Sequence, residues 1–229
     1  MELESYEQLH DIRCGGLKLV QNTNGFPYGT DAVLLSETVT LKKGDKVLDL
    51  CSGSGIIPLL LWSKGKADKI TGIEIDEQVV KSAEKTVKIN GLEGKLEFIC
   101  GDIKNASKML KSSFDVITCN PPYSKSGSGK VSDSKTIARA RYELECTLED
   151  VISSGAKVLR FGGRFYIVHK AERLADIVFY MRKYKVEPKE IKFVYTKKDK
   201  NAELVIVCGV YGAGVQVNIL PPVIMGQEG

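Results

Sequence analysis

The most constraining feature of the chain is the turn Asp49-Leu50-Cys51-Ser52-Gly53-Ser54-Gly55, set between an apolar run, Lys46–Leu50, and an apolar helical stretch from Ile56 to about Ser63. A strand that ends in small residues and passes at once into a helix leaves the first helical amides free. Its glycines let the backbone approach a ligand closely. Two such glycines alone are a weak signal, and Pro58 stands where a dinucleotide-binding turn wants a third. What strengthens the signal is the rest of the pattern. Lys69–Ile75 reads as a second strand ending on Glu74, and Leu96–Cys100 as a third, followed by Asp102. Three carboxylates therefore fall at consecutive strand ends, the edge where open α/β sheets bind ligands. Separately, Glu74 and Asp102 read as turn or helix-capping acids; together with Asp49 they read as a binding edge.

Strand-like and helix-like segments alternate along most of the chain, which predicts a mostly parallel sheet with helices on both faces. Asp76 caps a helix with Val79, Val80, Ala83 and Val87 on one face, stopped by Asn90-Gly91. Phe114–Cys119 is a fourth strand. A helix from about Leu148 to Arg160 leads through Gly162-Gly163 to a fifth strand, Arg164–Val168, and a further helix covers roughly Glu172–Tyr184. Strands near Ile191–Thr196 and Glu203–Val210 flank the charged turn Lys197–Asn201; so short a link makes them antiparallel. The fold class is thus α/β, a Rossmann-like seven-stranded sheet with an antiparallel edge hairpin. All 229 residues read as one domain, with 123–142 as a candidate substrate loop.

Composition narrows the setting. The six cysteines contain no CxxC pair, and there are only two histidines, His10 and His169, neither near a motif. This predicts no metal site and suits a reducing compartment. The acidic start, Met1-Glu2-Leu3-Glu4, is unlike an export signal, and no apolar run reaches the length of a membrane span, so the expected location is cytoplasmic, without membrane contact. The net charge is only +4, but residues 123–142 carry a net +4 and residues 181–200 a net +5. Basic segments on an otherwise acidic scaffold suit a polyanionic partner, though solvated surface is an equal reading of charge alone.

Directly after the fourth strand stands Asn120-Pro121-Pro122-Tyr123. The prolines fix the backbone and remove amide donors, leaving the Asn120 side-chain carbonyl and the Pro121 main-chain carbonyl as acceptors. Two acceptors suit an amino group on an aromatic ring: by holding its hydrogens they free a delocalised lone pair for attack. Tyr123 offers a flat face for an unstacked base.

These motifs resemble the class I AdoMet-dependent methyltransferases from about Gly29 to the last strands, and the tetrapeptide resembles that of the amino-methyltransferases. The resemblance implies S-adenosyl-L-methionine (AdoMet) as cofactor. Gly53, Gly55 and Cys51 would lie along it, with Asp49 near its amino group and Glu74 on the ribose. Ile75 would pack on the adenine, and Asp102 with the adjoining Ile103 would meet the adenine edge. Asn120, Pro121 and Tyr123 would be catalytic, Asn120 touching both cofactor and substrate. The segment Phe26-Pro27-Tyr28-Gly29-Thr30-Asp31 and the downstream Ile137–Glu143 further resemble the bacterial tRNA1(Val) adenine-37 N6-methyltransferase family. That adds residues 1–40 as a segment covering the ligand edge, Tyr28, Thr30 and Asp31 as cofactor contacts, tRNA as partner, and Lys125, Lys130, Arg139 and Arg141 as RNA contacts. Asp31 reads equally as the N-cap of a helix over 32–38. Relatives often have Arg-His-Glu where this chain has Arg141-Tyr142-Glu143, which weakens that part of the match. A glutamine N5-methyltransferase shares the tetrapeptide but usually carries an N-terminal helical domain. DNA adenine methyltransferases usually carry a recognition domain. A non-catalytic RNA-binding module would not need Asp49, Glu74 and Asn120 together.

Overall fold

The computed structural model describes residues 2–23, 28–111, 113–123 and 146–226. Lys125, Lys130, Arg139, Arg141 and most of the substrate loop lie outside the described residues, as do Phe26 and Pro27. The chain opens with a hairpin, β1 (Glu7–Asp11) and β2 (Lys18–Asn22), then α1 (Thr30–Thr38), β3 (Asp45–Leu50), α2 (Ile56–Ser63), β4 (Ala67–Glu74), α3 (Glu77–Ile89) and β5 (Leu96–Cys100). A 3-10 turn (Ile103–Asn105) and a short α4 (Ala106–Met109) lead to β6 (Phe114–Cys119). Then come α5 (Leu148–Val158), β7 (Leu159–Lys170), α6 (Leu174–Lys183), β8 (Val186–Tyr195), β9 (Leu204–Tyr211), β10 (Asn218–Ile219) and β11 (Val223–Ile224).

The main sheet runs β10-β8-β9-β7-β6-β3-β4-β5, with β11 also against β8. β7, β6, β3, β4 and β5 are parallel, and β9 runs antiparallel between β7 and β8. The central strands are apolar on both faces because helices cover both. On one side Ala32 and Leu35 of α1, Ile57 of α2 and Val80, Ala83 and Val87 of α3 close over Val47 and Val116. On the other, Val151 and Ile152 of α5 and Ile177 and Met181 of α6 close over Leu48 and Ile117. Leu48 and Ile117 are wholly buried, each contributing about 2 kcal/mol by transfer from water. α3 starts as its sequence dictates: the Asp76 carboxylate accepts from the Gln78 and Val79 amides. α5 starts on a capping box, Thr147 accepting from the Asp150 amide while Asp150 accepts from that of Thr147.

The structure departs from the sequence reading in four places. The seven expected strands are present, but β10 and β11 extend the sheet from the apolar tail, running parallel to β8 and shielding its edge. β8 starts at Val186, five residues before the expected Ile191; a bulge between Pro188 and Glu190 lets a proline sit inside a strand. Gly162-Gly163 is not a helix–strand link: α5 passes directly into β7, and the glycines form an irregularity opposite Phe114–Val116. The N-terminal hairpin, unforeseen, docks on α3. The Val20 amide donates to Thr86 Oγ1 at 2.9 Å, the Asn90 side chain bonds both the amide and the carbonyl of Lys18, and buried Glu7 meets Ser82 and Lys85 at 2.7 and 2.6 Å.

Candidate active site

The carboxyl ends of β3, β4 and β6 gather the predicted residues. Parallel pairing sets Asp49 beside Gly72 on one side and Thr118 on the other, and Leu50 beside Cys119. The turn after β3 is bent by left-handed residues: Cys51, Gly53 and Gly55 have φ of 55°, 55° and 84°. At Gly55 a side chain is excluded twice over, since a Cβ would also strike the Phe98 ring. Gly72 is needed for the same reason; a Cβ there would lie 2.5 Å from Ser52 Oγ and 2.6 Å from Phe98. Phe98 is therefore the floor on which the turn is folded, a role its place in an ordinary strand did not reveal.

Asp49 is fully buried. Its Oδ1 accepts from Thr118 Oγ1 at 2.6 Å, while its Oδ2 has no partner among the described residues. Burial raises its pKa to about 7, against the opposing Thr118 hydrogen bond. Glu74 is held rigidly: Oε2 accepts from the Gly53 amide at 2.9 Å, and Oε1 from the amides of Ile75 and Asp76 at 2.9 and 3.1 Å. Burial raises its pKa too, those amides opposing. Ile75, just beyond it, is 45% exposed, an apolar surface at a ligand edge. Cys51 is half-buried, and the Cys119 thiol beside it, together with burial, raises its pKa well above the usual thiol value, the Cys146 thiol opposing.

Asp102 behaves mainly as a turn acid. It caps the 3-10 turn by accepting from the Lys104 amide at 2.9 Å and lies 3.3 Å from the Lys104 ammonium. The Ile103 side chain is in the core, so only its main chain is placed to meet a ligand.

Asn120 follows β6, and its side-chain Oδ1 is buried without a hydrogen-bond partner among the described residues. A buried acceptor left empty costs about 1–3 kcal/mol, so its retention marks a place for a ligand donor. Pro121 is buried and Tyr123 half-buried. The Tyr123 hydroxyl donates to Asp31 Oδ2 at 2.5 Å, tying the N-terminal segment to the tetrapeptide. Asp31 is not an N-cap: α1 begins at Thr30 with Gly29 at the cap, and Asp31 Oδ1 accepts from the amide of Ala32. A Cβ at Gly29 would lie 2.6 Å from that oxygen, so the glycine makes room for the carboxylate. Tyr28 packs on the core under α1, and Thr30 is exposed.

Besides Phe98, a second residue of this region escaped the sequence reading. His169, set apart from every motif, lies at the carboxyl end of β7 with its ring 5.1 Å from that of Tyr123. Its Nδ1 accepts from the Lys170 amide at 2.8 Å, and burial, with Arg173 and Lys170 adding, lowers its pKa to about 4. It is a neutral ring behind Tyr123. Its position at a strand end beside β6 was the signal that could have found it.

The donor set fits AdoMet. The Asp49 Oδ2, without a partner among the described residues, suits an ammonium group, Glu74 a ribose and exposed Ile75 an adenine face, while Asn120 Oδ1 suits an amino hydrogen of a substrate. An open α/β sheet with a glycine turn, strand-end acids and empty acceptors at one edge defines a Rossmann-like methyltransferase fold. In agreement, the chain superimposes on a predicted O-methyltransferase from Agrobacterium tumefaciens with a TM-score of 0.67, at 18% identity over 86% of this chain and 88% of that one. Residues 22–183 match the model of the methyltransferase small domain, and the chain belongs to that family. Among curated proteins it is similar to the tRNA1(Val) (adenine(37)-N6)-methyltransferase of Shewanella sediminis, 32% identical over 57% of this chain and 55% of that protein. The protein of the same name from Porphyromonas gingivalis ATCC 33277 is 26% identical over 78% and 72%. The chain thus spans little more than half the length of the first of these relatives. Among the described residues no helix is long and apolar enough to cross a membrane.

Proposed function

We propose that the protein transfers a methyl group from AdoMet to the exocyclic amino nitrogen of an adenine in RNA, with adenine 37 of tRNA1(Val) as the particular target. The observation that carries this is the buried Asn120 Oδ1, without a partner among the described residues, beside two prolines at the edge where the acids stand. Bound AdoMet would supply an electrophilic methyl group on a sulfonium, and the S–CH3 bond would break to leave the neutral thioether. The chain supplies the rest. Asn120 Oδ1 accepts one amino hydrogen and the Pro121 carbonyl the other, which turns the nitrogen lone pair out of conjugation and towards the methyl. Tyr123, held by Asp31 and backed by His169, stacks on the base. No strong base is needed, because the methylated nitrogen is acidic and gives its proton to water. His169 lies far below its usual pKa and stays neutral through this step. The choice of adenine in tRNA is supported by the names of the similar curated proteins.

The test is transfer of labelled methyl from AdoMet to total tRNA from a strain lacking the gene, followed by nucleoside analysis. The expected product is N6-methyladenosine in tRNA. Label found only in protein, as methylglutamine, overturns the substrate reading and leaves the cofactor site standing.

A further inference from the structure

The basic run 181–200 looks continuous in sequence, but the fold divides it between opposite edges of the sheet. Its first part ends α6 and begins β8. There three of the four cations are engaged internally, Lys185 being the exception: Arg182 forks onto Glu187 at 2.8 Å, Lys183 meets Glu149 at 2.5 Å, and Lys189 donates to the Gly214 carbonyl at 3.1 Å. Its last part, Lys197, Lys198 and Lys200, forms the turn between β8 and β9. Antiparallel register puts that turn at the carboxyl end of β7: Val194 faces Leu204, Leu204 faces Lys170, and the Ala171 amide donates to the Glu203 carbonyl at 3.0 Å. The turn therefore shares an edge with Asn120, Tyr123 and His169. All three lysines are exposed, with only Asp199 between them, and none forms an ion pair with a described residue. The turn is also braced: β11 pairs with the end of β8, and the Met225 amide donates to the Tyr195 carbonyl at 2.8 Å.

We propose that Lys197, Lys198 and Lys200 are a phosphate-binding surface for the RNA strand that carries the target adenine, and that the internally engaged Arg182, Lys183 and Lys189 take no part. The inference rests on the RNA reading above. β8 lies three strands from β6, and at about 4.8 Å per strand the turn is about 14 Å from the strand bearing Asn120. The lysines thus meet phosphates a few nucleotides from the target base and leave the base to Tyr123. Such contacts orient the strand and carry no sequence information. Fixed on a braced turn, they hold the strand with little ordering of the protein.

The test compares the full chain with two variants, K197A/K198A/K200A and K183A/K189A, using total tRNA as probe. Binding is titrated across salt concentrations, AdoMet binding is measured beside it, and melting temperature serves as the folding control. The turn variant should bind tRNA on the order of tenfold more weakly, and its log-affinity against log-salt slope should fall by about 2, as for three lost phosphate contacts on a single strand. Its AdoMet affinity and melting should match wild type, and the K183A/K189A variant should keep the wild-type slope. Salt-dependent tRNA binding by wild type that is unchanged in the turn variant overturns the surface and leaves the RNA reading intact. Failure of the wild-type protein to bind tRNA at all overturns both.

Discussion

Strand β3 carries two buried aspartates, one at each end, and their surroundings are opposite. Asp45, at the amino end, is 4% exposed; its Oδ2 accepts from Arg164 at 2.5 Å and from the Lys42 amide at 2.7 Å. Nearby, Asp115 at the start of β6 pairs with Arg160 and accepts from the Lys46 amide. Asp49, at the carboxyl end, is fully buried, and among the described residues neither its Oδ2 nor the Oδ1 of Asn120, which follows β6, has a hydrogen-bond partner. Polar side chains on or next to the same two strands are thus satisfied at the amino edge and, among the described residues, left without partners at the carboxyl edge. Stability is invested in the amino edge, and the carboxyl edge is held ready for partners the chain does not contain. This follows from topology: five parallel strands bring their carboxyl ends to one side, where helices have not yet closed over them.

The contrast can be broken from either edge. The largest expected effect is at the amino edge. Arg164→Ala leaves Asp45 buried without its cation, so unfolding stability in denaturant should fall by about 3 kcal/mol while AdoMet affinity stays near wild type. An equal loss of AdoMet affinity would erase the distinction between the edges.

Next is Asp49→Asn. The unfolded carboxyl titrates near its ordinary value of 3.8 and the folded one near 7, so the folded state binds more protons between those pH values. Stability without ligand therefore falls as pH rises through that window. The substitution should raise the melting temperature above pH 7, yet weaken AdoMet binding about ten- to hundredfold by removing a charge-assisted contact. For wild type, AdoMet affinity should weaken as pH drops below about 7. A variant that melts lower and binds AdoMet normally would make Asp49 a structural acid like Asp45.

The smallest effect is expected at Tyr123. Tyr123→Phe keeps the stacking face but loses the bond to Asp31, worth about 1 kcal/mol, so kcat/KM for tRNA should fall several-fold. Combining it with Asp31→Asn should add little further loss, because both act through one hydrogen bond. Fully additive losses would separate the two residues.

Much of this division was legible in the sequence, because backbone periodicity and strand-end acids are local signals. β5 and β6 fall at their expected limits, and α2, α3 and the glycine turn where small residues and Asp76 predicted them. What was hidden depends on pairing across the sheet. Nothing local marks His169 as a neighbour of Tyr123, or Phe98 as the floor of the turn. The early start of β8 was masked by Pro188 and by a charged sequence, and β10 and β11 are too short to show a period. The basic run 181–200 could be read for charge, but only the fold shows that Arg182, Lys183 and Lys189 are spent on internal partners.

The most direct test of the account is single-turnover methyl transfer to total tRNA by the Asn120→Ala variant, with AdoMet binding measured on the same preparation. The account predicts that transfer to adenine N6 falls on the order of a hundredfold or more while AdoMet affinity is nearly unchanged, since the lost carbonyl acts on the amino group. Retained transfer, or a loss explained entirely by weaker AdoMet binding, would contradict it.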